Sequence, residues 1–171
     1  MLSVVLLSES VGAKSTLKQS QIAQQPATTQ QDATRAAALK ATQQGQALYK
    51  QGTAVSLRQA IEKWQEALEL WRKTGDKLGE AVTLNYIGRV YENLGDKHSA
   101  LKYYNSSLPL SQQVGNKAGE ATILNNIGAV YSELGDKQSA FKYFNDSLPL
   151  SQQMGDKVQE ARTLYKRTDI K

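Results

Sequence analysis

The chain has 171 residues, 40% of them hydrophobic, which is enough to bury a core of ordinary domain size. It contains no cysteine, which excludes a disulfide framework, a thiolate metal site and a cysteine nucleophile. A net charge of +5 is mildly basic, but five lysines (Lys77, Lys97, Lys117, Lys137 and Lys157) recur singly in turn positions. That scatters charge along the chain, whereas a nucleic-acid footprint gathers it on one face.

Residues 1–35 differ from the rest. Leu2 to Leu7 is briefly apolar, lacks a preceding basic residue and is too short to span a bilayer; a truncated secretion signal is one reading of it. The Ser-, Thr- and Gln-rich stretch that follows has little to bury and predicts a flexible leader.

From Ala36 a helical pattern begins. Gly45, Leu48 and Gly52, then Ala60, Trp64 and Ala67, have the spacing of a degenerate first repeat. Three extra residues between Gly52 and Ala60 predict a longer turn over TAVSL. Trp64 is expected in the core; Trp71 either seals the junction with the next repeat or lies partly exposed.

Residues 81–160 are one forty-residue unit written twice, with 26 of 40 positions identical. A fixed period of this length signals stacked supersecondary units. The turn triplet Gly-Asp/Asn-Lys starts at Gly75, Gly95, Gly115, Gly135 and Gly155, so each unit is two segments. Leu84, Ile87, Gly88, Tyr91 and Leu94 fall at helical spacing, as do Ala100, Leu101, Tyr104 and Leu108. Each glycine suits a left-handed C-terminal cap, and the Asp or Asn after it suits the next N-cap. The expected fold is all-α, an array of antiparallel helical hairpins. Pro109 and Pro149 fall inside predicted helices, where each removes a backbone hydrogen bond and should bend the rod.

The positions Leu84, Ile87-Gly88, Tyr91, Ala100, Tyr104 and Ser107, and their copies Leu124, Ile127-Gly128, Tyr131, Ala140, Phe144 and Ser147, resemble the tetratricopeptide repeat in its forty-residue form. Leu replaces the family's first Trp, and the helix-ending Pro is missing. The resemblance implies a right-handed solenoid of about three repeats (38–77, 78–117 and 118–157) plus a partial helix over 158–168. The wording is most like repeat arrays that precede CHAT-type (caspase-like) peptidase domains in bacterial proteins. It is less closely similar to kinesin light chain and the Pins/LGN polarity adaptors.

EARTLY, from Glu160, starts a fourth copy, but Thr168 stands where the pattern wants glycine, and the sequence stops. The expectation is a fragment of something longer. Ala161 and Leu164 should then present an apolar stripe able to pair two copies of the chain end to end or by swapping.

No residue pattern argues for catalysis, and no cofactor is expected. The single histidine, His98, stands at a predicted helix start without companion metal ligands, and no phosphate-binding loop is present. The tripeptides from Asn105 and Asn145 match a glycosylation signal by chance, inside predicted packed helices.

Function therefore falls to the groove that the first helices of such hairpins line. The resemblance places Val82, Asn85, Arg89 and Glu92 there, then Thr122, Asn125, Ala129 and Ser132, with Arg162 and Tyr165 from the last helix. The first repeat adds Leu39, Thr42, Gln46 and Tyr49. An Asn amide can both donate to and accept from a peptide backbone, and Arg can fork onto a carboxylate. The competing readings are that Asn85 and Asn125 bond within the array and that Arg89 pairs with a glutamate. The family's carboxylate clamp needs Lys and Asn at the fifth and ninth positions, so binding of an EEVD-type tail is not supported. The leading expectation is a non-catalytic, cytoplasmic interaction scaffold for a peptide or helix. A regulatory arm of a CHAT-type peptidase is the second reading, and a basic nucleic-acid binder the third.

Overall fold

In the computed structural model the backbone is described for residues 8–168 and side chains from residue 29 onward. The expected signal remnant lies outside these residues. Seven helices follow one another, with no strand among the described residues: α1 (Ser8–Gln51), α2 (Ala54–Thr74), α3 (Lys77–Asn93), α4 (Lys97–Gln113), α5 (Lys117–Glu133), α6 (Lys137–Gln153) and α7 (Lys157–Thr168). They pair as hairpins α1–α2, α3–α4 and α5–α6, each packed on the next, with α7 against α6.

The turns work as their residues dictate. Gly75, Gly95, Gly115, Gly135 and Gly155 all have positive φ, the left-handed conformation that closes a helix without a Cβ penalty. One residue later, Asp76, Asp96, Asn116 and Asp136 accept the backbone N–H three residues on, which caps the next helix. Turns this short force each helix back along its predecessor.

Within each hairpin a glycine faces an aromatic ring. A Cβ on Gly45 would meet Trp64 at 2.4 Å, on Gly88 Tyr104 at 2.6 Å, and on Gly128 Phe144 at 2.7 Å. The first of these contacts matches the later two, so the degenerate first repeat packs like its neighbours. A serine then pins each of the later hairpins: Ser107 Oγ donates to the Ala81 carbonyl at 2.7 Å, and Ser147 Oγ to that of Ala121 at 2.9 Å. Both serines are fully buried, where a larger side chain would hold the helices apart.

Two expectations need correction. Residues of the expected leader are helical: α1 begins at Ser8, and the boundary at residue 35 is not a helix end. Near that boundary Gln31 Nε2 donates to the Thr74 carbonyl at 3.5 Å and Arg35 pairs with Asp76 at 2.5 Å. Once the packed part of α1 has nucleated a helix, adding a residue is inexpensive, so polarity alone does not stop it. TAVSL is not a longer turn either. Thr53 and Ser56 form a reciprocal capping box, so the extra residues enter α2 as helix. Trp71 is buried: its ring lies 2.4 Å from where a Gly79 Cβ would stand, sealing the first junction. Pro109 and Pro149 do lie inside α4 and α6.

The junctions carry a repeated polar clamp. Glu80, nearly buried, takes Arg72 at 2.9 Å and Lys77 at 3.0 Å. Glu120 likewise takes Gln112 and Lys117, and Glu160 takes Gln152 and Lys157. Burial pushes the Glu80 carboxyl up, but the hydrogen bonds and charges of Arg72 and Lys77 outweigh it and hold the pKa below its usual value. The folded protein therefore favours the carboxylate, and the unfolded chain takes up a proton at higher pH. This contribution is present above the ordinary carboxylate range and is lost as pH falls through the lowered pKa. Glu80→Gln should flatten the decline in urea midpoint between neutral pH and about pH 3. A decline as steep as wild type would show that Glu80 is not one of the groups responsible.

α7, the last described helix, packs on α6 and meets α5. Ala161 is exposed and Leu164 half-buried, while Val158 is 73% and Tyr165 68% exposed. Among the described residues no helix is long and apolar enough to cross a membrane.

Candidate functional site

The first helices of the hairpins, α1, α3, α5 and α7, stand side by side. Their seams differ. Between α5 and α7, Asn125 is only 2% exposed, and its amide donates to Ser147 Oγ at 3.3 Å and to Thr163 Oγ1. Ala129 is buried too, grouped with Ala140 and Phe144. These two expected groove residues are therefore packing residues. Asn125 is enclosed because α7 supplies Thr163 directly over it.

Between α3 and α5, Asn85 is half-buried and accepts from Asn126 at 3.1 Å, which also favours bonding within the array. Glu92 accepts the hydroxyl of buried Tyr104 at 2.5 Å. Burial first, and the Glu92 charge next, push that phenol far above its ordinary pKa, so Tyr104 remains a donor at any working pH. Thr122 Oγ1 is bonded to its own helix at Ala118 O, while Ser132 is half-buried and Arg162 exposed. Lys166 of α7 lies within electrostatic reach of Glu92 and Glu133.

The seam between α1 and α3 is different: it holds two recesses. The first, of about 340 Å³, is lined by Gln46, Tyr49, Lys50, Trp64, Tyr86 and Arg89. Its rings are close, with Trp64 5.9 Å from Tyr49 and 5.1 Å from Tyr86. The Arg89 guanidinium sits 5.1 Å over the Tyr49 ring and donates to its hydroxyl at 3.3 Å. The expected alternative, a glutamate partner for Arg89, is not what the structure shows. Gln46 donates to Tyr86 Oη at 3.1 Å and Asn93 to Tyr49 Oη at 3.0 Å, tying the walls together.

The second recess, of about 260 Å³, is mainly apolar: Leu39, Leu78, Val82 and Trp71 line it, with Thr42 and Gly79 beside them. Leu39 is 50% and Leu78 47% exposed, high for leucines on a packed array. The structure thus brings together Leu39, Thr42, Gln46, Tyr49, Val82 and Arg89 of the expected groove. Sequence reasoning missed Tyr86 and Leu78. A signal for Tyr86 was available, since the copy of this aromatic is Asn126.

Among the described residues no group of His, Cys, Asp and Glu could hold a metal ion, and His98 is exposed. Four of the five turn lysines are paired with glutamates: Lys77, Lys97, Lys117 and Lys157.

The tetratricopeptide repeat family profile matches residues 34–113 and 99–153, most of the chain. The protein belongs to the tetratricopeptide repeat family. Solved structures agree on the fold. The tetratricopeptide repeat domain of Arabidopsis FLU superposes with a TM-score of 0.63 at 20% identity, covering 68% of this chain and 95% of that one. A signal-transduction ATPase with numerous domains and a tetratricopeptide repeat sensor, from Pyrococcus horikoshii, gives 0.61 at 21% identity over 65% of this chain. This repeat protein spans only 17% of that ATPase. A Podospora anserina protein described as a kinesin light chain with nearly identical TPR-like repeats gives 0.64 at 10% identity, over 75% of this chain and 64% of that one. No curated protein sequence matches the chain. Tetratricopeptide repeats generally mediate protein–protein interaction and are generally non-catalytic scaffolds, the coarse role that membership of the family carries.

Proposed function

We propose that this tetratricopeptide repeat protein is an interaction scaffold that holds a peptide or helix of a protein partner on its first-helix face, chiefly along the α1–α3 seam. The observation that supports this is the pair of recesses there, lined by exposed leucines, three clustered rings and Arg89. An apolar concavity carrying a few convergent polar groups is the usual form of a binding site. The α5–α7 seam is closed over Asn125 by Thr163.

A second reading, a regulatory arm that acts on a CHAT-type peptidase in cis, is supported by the wording of the repeats from Ala121 to Lys157. The two readings share one groove and differ in where the ligand is encoded. A peptidase domain encoded downstream would favour the second.

The test is capture of a partner by the full chain and by Leu39→Ala/Tyr86→Ala/Arg89→Ala, with folding of the variant checked by circular dichroism. A partner held by wild type and lost, by tenfold or more in affinity, by the folded variant is the expected result. Equal capture would move the site off the α1–α3 seam. Asn125→Ala is not a suitable probe, because it opens the core.

A further inference from the structure

The two recesses of the α1–α3 seam repeat at a fixed interval. On α1, Leu39 and Thr42 line one and Gln46 and Tyr49 the other; each pair is displaced by seven residues. On α2 the buried rings behind them, Trp71 and Trp64, are also seven apart, and on α3 so are Gly79 and Tyr86. Seven residues at 1.5 Å rise place the recess centres about 10.5 Å apart.

We infer that the α1–α3 seam is a seat for an amphipathic partner helix carrying two large apolar side chains at i and i+7, with carboxylates beside the one that enters the recess between Tyr49 and Tyr86. This deepens the groove reading above and rests on it. Two observations select the occupant. An extended peptide in the polyproline II conformation could also span about 9 Å with its i and i+3 side chains, but it brings unpaired backbone groups that a groove must satisfy. The polar groups across this seam already satisfy one another: Gln46 with Tyr86, and both Arg89 and Asn93 with Tyr49. A helix bonds its own backbone and asks only for side-chain sockets, the helix-in-groove mode.

Charge supplies the second constraint. Lys50 and Arg89 border the aromatic recess, and among the described residues neither has a carboxylate within ion-pair distance. The apolar recess differs, since Arg35 on its rim is already paired with Asp76. Acidic residues on the occupant therefore belong at the Tyr49 end, which fixes its direction as well as its register.

The chain supplies its own reporter. It has two tryptophans, Trp64 and Trp71, one behind each recess. The experiment titrates the full chain, by intrinsic fluorescence, with synthetic hydrocarbon-stapled helices. One presents leucines at i and i+7 with two glutamates beside the terminal leucine. A second has lysines in place of the glutamates, and a third carries the leucines at i and i+5, on different faces. A proline-containing peptide with leucines at i and i+3 serves as the extended comparison.

The expected result is saturable binding of the first helix, at least tenfold tighter than of the other three. Arg89→Glu and Lys50→Glu, each confirmed as folded, should reverse the order of the glutamate and lysine helices. Indifference to leucine spacing would overturn the seven-residue register, and indifference to charge would overturn the acidic assignment. Tighter binding of the extended peptide would overturn the helix while leaving the groove reading intact. No binding of any peptide, alongside partner capture that depends on Leu39, Tyr86 and Arg89, would overturn the inference alone. Loss of that dependence would remove the groove reading itself.

Discussion

Trp64→Ala should cost about 3–5 kcal/mol, the range for emptying an aromatic site in a closed core. Trp64 is 1% exposed, its ring fills the space over Gly45, and its indole N–H donates to the Thr42 carbonyl at 3.1 Å. Truncation removes the packing and takes the indole donor from that carbonyl inside the α1–α2 hairpin. Because each hairpin in an array contacts only its neighbours, the loss should stay local. Urea unfolding followed by circular dichroism should then split, with α1 and α2 melting first and α3 to α7 persisting. A single transition shifted by less than about 1 kcal/mol would show that Trp64 does not hold the first hairpin together.

Gly128→Val is the second large effect, expected near the top of the range of about 1–3 kcal/mol for overpacking. At an exposed helix site replacing glycine would normally stabilise, by up to about 1 kcal/mol for alanine. Here the added Cβ would stand 2.7 Å from the Phe144 ring, which is itself fully buried and cannot swing aside. Sterics therefore outweigh propensity. The double variant Gly128→Val/Phe144→Ala should be less destabilised than the two single losses added together, because the new side chain occupies space the ring has left. Strict additivity, measured by urea midpoint, would mean that Gly128 and Phe144 do not share a contact.

The framework of this fold was legible because it is local and repeated. Turn glycines and their Asp and Asn caps recur every twenty residues, the glycine–aromatic pairs of the later hairpins every forty, and the structure places them as their spacing required. The misread features depend on what lies across a helix from them. The segment after Gly52 read as a longer turn because it carries three residues more than the later copies, yet Thr53 and Ser56 cap each other and make it helix. The polar stretch before Ala36 gave no sign of the helix that reaches back to Ser8.

The site was legible only in part, and for a physical reason. Asn85 and Asn125 are copies in sequence, but Asn125 lies under Thr163 of α7 while Asn85 meets Asn126 of α5. Position within a repeat does not determine exposure, since the neighbouring hairpin supplies the cover. Tyr86 and Leu78 open the α1–α3 seam by breaking the repeat, which a pattern built on its regularity passes over.

Oxidative footprinting of tyrosines in the complex with a captured partner tests the groove most directly. Tyr49 and Tyr86 line the α1–α3 seam, whereas Tyr103 and Tyr143 stack on Tyr91 and Tyr131 within the later hairpins. All four are partly exposed, so each can report. Protection of Tyr49 and Tyr86 with Tyr103 and Tyr143 unchanged is the result this account predicts. Protection of Tyr103 and Tyr143 with Tyr49 and Tyr86 still reactive would place the partner elsewhere and contradict it.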